Sequence, residues 1–270
     1  MIEISTHSGV VCAKGTVSLQ DAHMNIYVFL TDNMLVDTGP ESLLQEFIPL
    51  YRLESFDFVA LTHLHEDHTG CAPWIEQNKH IPIYIHEMSI DDSTKEGSYP
   101  RYRQHFWGAR HPFHPKPLQS TFTSENYKWT SIYTPGHADD HMVFLNNDTG
   151  MLFSGDLFVT PKTKIIMRDE SISTIIESIR TVLQHDFQEM FCSHAGYVKD
   201  GKVMLQRKLS YLEELEGKIL HLHNQGQTIQ EIKKALFPVP YPLITLSEHE
   251  WDSEHIVTSV VNAQSSSIKK

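Results

Sequence analysis

The chain has 270 residues, 40% of them hydrophobic and 21% charged, and carries a formal net charge of −12; this composition excludes a disordered chain and suffices to bury a core without disulfides. The acid surplus argues against nucleic acid as the partner, because phosphate binding needs an excess of Lys and Arg, and no apolar run approaches the roughly 18 residues of a membrane span. Met1-Ile2-Glu3-Ile4-Ser5 carries no basic region followed by an apolar stretch, and Cys12, Cys71 and Cys192 form no Cys-x-x-Cys pair, so a leaderless protein of the reducing cytoplasm is expected.

In chain order, the first forty residues read as short strands, with Asn25–Leu30 and Met34–Val36 the clearest. Residues 41–51 read as a helix, and Phe56–Leu61 as a buried strand that stops at Thr62. A helix over Ala72–Asn78 and a strand over Ile81–Ile85 follow. Residues 86–120 break the rhythm with His111-Pro112-Phe113-His114-Pro115-Lys116-Pro117 and read as irregular or as a short helical cap. Within them Tyr102, Phe106, Trp107 and Arg110 either wall a substrate pocket or pack as a surface excursion.

Strands return at Trp129–Tyr133, His141–Leu145 and Met151–Phe153, the last two joined by the turn Asn146-Asn147-Asp148-Thr149-Gly150. Residues 171–184 read as a helix, Glu189–Cys192 as a strand, and Leu205, Leu209, Leu212, Leu215, Ile219 and Leu222 mark a long amphipathic helix. A further helix is expected at Thr228–Leu236, then an unstructured tail from Ser265. Strands alternating with helices indicate an α/β fold. The expected division is a catalytic domain over 1–200 and a helical C-terminal extension over 201–270, with a soft boundary.

The chain holds 18 histidines, about three times ordinary usage. His63-x-His65-x-Asp67-His68 packs four metal-competent side chains into six residues at the end of a buried strand. Alternate residues of an extended segment point the same way, so His63 and His65 can face one ion, with Asp67 and His68 past the bend facing another. Imidazoles and carboxylates suit Zn, Mn or Fe, and the lack of thiolates argues against a closed structural zinc site. This segment cannot fill the coordination of two ions alone. Further ligands stand at strand ends: Gly136-His137, Gly155-Asp156 and Ser193-His194-Ala195-Gly196. His141 opens a strand four residues after His137, with a supporting or a purely structural role open to it. Asp139 and Asp140 read as solvated turn residues.

Asp37, His63–His68, His137, Asp156 and His194, in this order, resemble the five motifs of the metallo-β-lactamase fold superfamily. The resemblance implies a four-layer αβ/βα sandwich with two metal ions at the edge of its sheets. By it, His63, His65 and His137 hold one ion, Asp67, His68 and His194 the other, and Asp156 bridges them. Asp37 supports the ligands from behind. The chain departs from true β-lactamases, which usually carry Cys where Asp156 stands. It departs from flavodiiron oxygen reductases in keeping His65, and from autoinducer lactonases in having Val159 where they place Tyr. It is most similar to glyoxalase II-like hydrolases, without their basic glutathione-binding pattern.

These features imply a binuclear metallo-hydrolase with two Zn2+ (Mn2+ or Fe being possible alternatives) acting on a small carboxylic thioester, ester or lactone. A water shared by the ions, largely hydroxide at neutral pH, would attack the carbonyl, and Asp67 would orient it. A non-heme iron persulfide dioxygenase is the alternative of another class, distinguished by one iron and oxygen uptake; phosphodiester cleavage is disfavoured by the charge. The expected partner is a small-molecule substrate, with no nucleic acid and no membrane.

Overall fold

The computed structural model describes residues 2–19 and 22–268. Contacts divide them into two compact units. The first comprises Met1–Tyr133, Asp140–Val159 and Asp186–Lys202, and the second Thr134–Asp139, Thr160–His185 and Val203–Lys270.

The first unit contains two sheets. Seven strands lie side by side in chain order: β1 (Glu3–His7), β2 (Val10–Leu19), β3 (Ala22–Thr31), β4 (Met34–Val36), β5 (Phe58–Ala60), β6 (Ile83–Ile85) and β7 (Lys116–Pro117). From β1 to β4 the pairing is antiparallel, and from β4 to β7 it is parallel. Parallel neighbours need crossover connections. These are α1 (Leu44–Leu53), then α2 (Glu66–Thr69) with α3 (Ala72–Lys79), then α4 (Ile90–Ser93) with α5 (Arg101–Trp107).

The first forty residues are not short strands throughout, because β2 and β3 form a long hairpin paired from Val11↔Leu30 to Leu19↔Ala22. Thr16, Ser18, His23 and Asn25 interrupt its apolar pattern, but all four are exposed, so they cost the pairing nothing. Residues 86–120, expected to be irregular or a short helical cap, contain α4, α5 and β7.

The second sheet comprises β8 (Thr121–Thr123), β9 (Lys128–Tyr133), β10 (Met142–Asn146), β11 (Leu152–Gly155), β13 (Met190–Cys192) and β14 (Gly196–Val198), in the order β14-β13-β11-β10-β9-β8. Here only β11 and β13 run parallel. Phe29, Met34 and Val36 of the first sheet share a buried cluster with Trp129, Phe144, Phe153 and Phe191 of the second. The Phe29 ring lies 5.4 Å from that of Phe153 and 5.7 Å from that of Phe191. On its other face the first sheet receives Leu43 and Phe47: a Cβ on Gly15 would stand 2.5 Å from Leu43 Cδ1. Two sheets face to face with helices outside make the α/β sandwich that the motif order implied.

The second unit is mainly helical, with α6 (Ile172–Leu183), most of α7 (Gly201–Asn224), α8 (Ile229–Leu236), α9 (Pro242–Leu246) and α10 (Ser253–Ile268). Strand β12 (Ile166–Met167) pairs antiparallel with β15 (Trp251–Asp252). Helix α8 starts at a capping box: Thr228 Oγ1 accepts from Glu231 N, and Glu231 Oε2 accepts from Thr228 N. The tail expected to be unstructured from Ser265 is instead helical to Ile268. Buried Ile256, Val257, Val260 and Val261 set that helix upstream of the serines, and it packs on α8 and α6. Among the described residues no helix is long and apolar enough to cross a membrane.

Asp252, almost fully buried, ties α8 to β15. It receives Lys233 Nζ at 2.6 Å, His249 Nδ1 at 2.8 Å and the Glu254 N–H at 2.9 Å. Burial opposes its charge, but these bonds and the Lys233 cation bring its pKa from 3.8 to about 2. A depressed carboxyl pKa stabilises the fold above the unfolded value and loses that contribution as pH falls toward the folded one. Lys233→Met is therefore expected to lower the calorimetric melting temperature at pH 7, with the gap to wild type closing between pH 4 and 2. A gap that is constant with pH would remove the ion pair from this account.

Candidate metal centre

The ligand-bearing segments begin where strands end. Val36 of β4 leads into Asp37, Ala60 of β5 into His63–His68, Gly155 of β11 into Asp156, and Cys192 of β13 into His194. Carboxyl ends of neighbouring parallel strands form a crevice in which side chains from separate segments meet. Gly155 is required there. Its φ is +46°, and a Cβ would lie 2.6 Å from His141 Nε2 and 3.0 Å from Thr62 Cβ.

Asp67, His68, Asp156 and His194 converge, each offering a ligand atom within 4.8 Å of all the others. Asp156 Oδ2 is 3.0 Å from His194 Nε2 and 3.5 Å from His68 Nε2. Asp67 Oδ2 is 3.4 Å from His194 Nε2 and 3.6 Å from His68 Nε2. Ligand atoms held about 2 Å from a common tetrahedral ion stand about 3.3 Å apart. The fit shows most clearly at His68 Nε2, which is buried without a hydrogen-bond partner although two carboxylates stand just beyond hydrogen-bonding distance. A second pair stands nearby in the chain, with His63 Nε2 3.0 Å from His65 Nδ1.

Asp37, 1% exposed, binds the ligand segments together. Its Oδ1 accepts from Thr62 N at 2.8 Å, and its Oδ2 meets His68 Nδ1 at 2.8 Å and accepts from Ser193 Oγ at 3.1 Å. With Nδ1 occupied, His68 presents Nε2 to Asp67 and Asp156. His194 is turned in the same way, its Nδ1 being 2.8 Å from the Asn25 carbonyl oxygen. His63 Nδ1 lies 3.0 Å from Thr62 Oγ1.

The buried charges act strongly on one another. Burial opposes ionisation of Asp156, yet the cations of His194 and then His68 hold it well below the carboxylate range. Asp67 is lowered too, against burial, by the charge of His68 and then by its bond to His194. Burial would discharge His68, but Asp67, Asp156 and Asp37 push it well above the imidazole range. Asp156 and Asp67 do the same for His194. Two carboxylates withdrawn from water demand positive charge among them. Imidazole protons can supply it, and a divalent cation would displace those protons.

His137 lies in the loop 134–139, whose contacts place it in the second unit although strands β9 and β10 of the first flank it in the chain. Its Nδ1 is 3.1 Å from Glu170 Oε2, and Gly136 O accepts from the Ser171 N–H at 2.8 Å.

Three supporting residues were not legible as such in the sequence. Asp140, which reads as solvated, is buried and accepts from Ser89 Oγ at 2.6 Å; burial raises its pKa, against that bond. His141 Nε2 accepts from the Asp156 N–H at 3.0 Å and so steadies the peptide of a metal-competent residue. Glu66, between the metal-competent His65 and Asp67, is 2% exposed and takes a two-pronged bond from Arg103, with Nε to Oε1 at 2.5 Å and Nη2 to Oε2 at 2.7 Å. Only the position of Glu66 inside the motif could have signalled it; the turn around Asp140 carries no such sign.

Comparison with known proteins agrees with this geometry. Residues 25–216 match the family described as the metallo-beta-lactamase superfamily. The chain is 24% identical to the beta-lactamase-like protein 2 homolog of Drosophila melanogaster over 84% of this chain and 77% of that protein. It is 23% identical to an atrochrysone carboxyl ACP thioesterase of Aspergillus fumigatus over 76% of this chain, but spans only 61% of that relative. Among solved structures, a metallo-beta-lactamase family protein of Thermus thermophilus superposes with a TM-score of 0.66 at 16% identity, over 94% of this chain and 91% of that one. A beta-lactamase domain protein of Burkholderia ambifaria gives 0.68 at 14% identity, over 97% and 88%. With the motifs on strand ends, the sandwich around them and a family match over most of its length, the chain belongs to the metallo-beta-lactamase superfamily.

Proposed function

We propose that the chain is a hydrolase of small carboxylic thioesters, esters or lactones that uses two divalent ions, zinc being the expected metal. The observation that carries this reading is the buried Asp67–His68–Asp156–His194 cluster, whose spacing suits a shared cation and whose His68 Nε2 makes no hydrogen bond. In this reading His63 and His65 would hold the other ion, with His137 as the motif order implies. With its Nδ1 at Glu170, His137 would bind through Nε2. Asp156 would bridge the two ions. Ions in these positions would acidify a water and polarise the carbonyl under attack.

The residues divide the remaining work. Asp67 accepts a hydrogen bond from the attacking water and so aims it, while His68 and His194 keep that carboxylate charged. Asp37 and His141 hold ligands at fixed angles, so little reorganisation accompanies the reaction. No serine or cysteine nucleophile is needed. The cysteines are free and buried, and burial drives the Cys12 thiol to about 12, away from nucleophilic use. Thioesters are favoured by the thioesterase among the relatives. The free cysteines accord with a cytoplasmic setting.

The test combines metal analysis with a panel of acyl thioesters, lactones and phosphodiesters. About two zinc or manganese ions per chain are expected, with thioester or lactone turnover that chelation abolishes and zinc restores. One iron with oxygen uptake would instead identify the persulfide oxygenase, and turnover indifferent to chelator would end the metal reading.

A further inference from the structure

A cavity of about 410 Å³ opens beside the metal-binding segment, lined by His65 and Glu66 together with Asp92, Tyr99, Arg103 and Arg110. Its wall also carries Lys95 and Glu96, so three carboxylates and three fixed cations face one another. Arg103 is committed to Glu66, Lys95 Nζ stands 2.7 Å from Asp92 Oδ1, and Glu96 meets His111 Nδ1 at 3.2 Å. Arg110 differs. It is 7% exposed, and among the described residues no carboxylate comes within ion-pairing distance of its guanidinium. Nη2 donates to the Asp92 main-chain oxygen at 3.2 Å, and Nη1 is buried with no hydrogen-bond partner.

A guanidinium cannot shed its proton, and a buried, unpaired cation is costly. The surrounding structure nevertheless holds this one in place. The Arg110 N–H donates to Tyr99 Oη at 2.6 Å, the Tyr99 hydroxyl donates to Gly108 O at 2.8 Å, and the Arg110 carbonyl accepts from Gly97 N at 2.8 Å. The residue is thus fixed at a cavity that it shares with the metal-competent His65, with its Nη1 unbonded by the protein.

We propose that Arg110 receives a carboxylate carried by the substrate's acyl group, selecting acidic acyl thioesters or esters for the adjacent metal centre. This rests on the hydrolase reading above. The guanidinium fork matches a carboxylate. With three carboxylates and three fixed cations the wall is close to neutral, so it accommodates one added negative charge at less cost than a phosphate dianion.

The test uses zinc-loaded protein and matched N-acetylcysteamine thioesters: malonyl, succinyl and glutaryl, each against the same acyl chain ending in an amide. Wild type is expected to favour the best acid over its amide by about tenfold or more in kcat/KM, mainly through KM, with the ratio falling to about one in Arg110→Gln and partly retained in Arg110→Lys. Equal use of acid and amide by wild type, or an unchanged ratio in Arg110→Gln, overturns the proposal, because a merely structural arginine would affect both substrates alike. If no thioester or ester turns over, the hydrolase reading fails, and Arg110 is judged by calorimetric titration with glutarate and its monoamide. A preference for the diacid that Arg110→Gln abolishes supports the anion site; a preference that survives in the variant, or none in wild type, removes it.

Discussion

Asp156→Ala is expected to lower turnover of any substrate found for this protein by at least about three orders of magnitude, the scale on which loss of a central electrostatic group acts, while leaving the chain folded. The carboxylate, 6% exposed, stands 3.0 Å from His194 and 3.5 Å from His68. Without it, His194 loses the strongest influence keeping it charged and His68 loses the one next to Asp67, and both can relax toward neutral imidazoles at little cost to the fold. Circular dichroism should therefore match wild type, while bound metal falls from about two ions per chain to one or fewer. Turnover near the wild-type rate in this variant would end the proposal that Asp156 joins two ions.

Asp37→Asn should have the second-largest effect, and through affinity rather than folding. Asp37 adopts φ +57°, a left-handed conformation that asparagine tolerates, so the substitution keeps the backbone and most of the hydrogen-bond geometry. It removes the charge that orients His68 Nδ1 at 2.8 Å, and an amide nitrogen turned toward Thr62 N or a protonated His68 Nδ1 would oppose donor to donor. Loss of such a supporting carboxylate typically costs 10- to 100-fold in metal affinity. Zinc affinity measured by competition with a chromogenic chelator should fall by about that factor, with turnover recovering at high zinc. Asp37→Ala should be worse, because it leaves a buried imidazole and a main-chain N–H without their acceptor. Unchanged zinc affinity in Asp37→Asn would reduce Asp37 to a packing residue.

Sequence order alone announced the ligand motifs, because metal binding requires particular atoms at particular spacings. His63-x-His65-x-Asp67-His68 after an apolar strand admits few readings, and each later ligand follows a strand end beside small residues. The long β2–β3 hairpin was obscured by exposed polar residues, and α10 by its terminal serines. In both, the deciding contacts lie outside the local window: β3 pairs with β2 along its length, and α10 rests on α8 and α6.

What the sequence determined by itself was the metal-competent side chains, the strand ends that bear them and the family they match. Tertiary structure decided which groups support them: Asp140 buried under Ser89, His141 holding the Asp156 peptide, Arg103 gripping Glu66, and Arg110 left with one guanidinium nitrogen unbonded. The physical reason is that ligand chemistry resides in a residue's own atoms and its neighbours in the chain. Burial and charge pairing depend on which distant segments fold against it, and for Glu66 and Arg103 those segments are 37 residues apart.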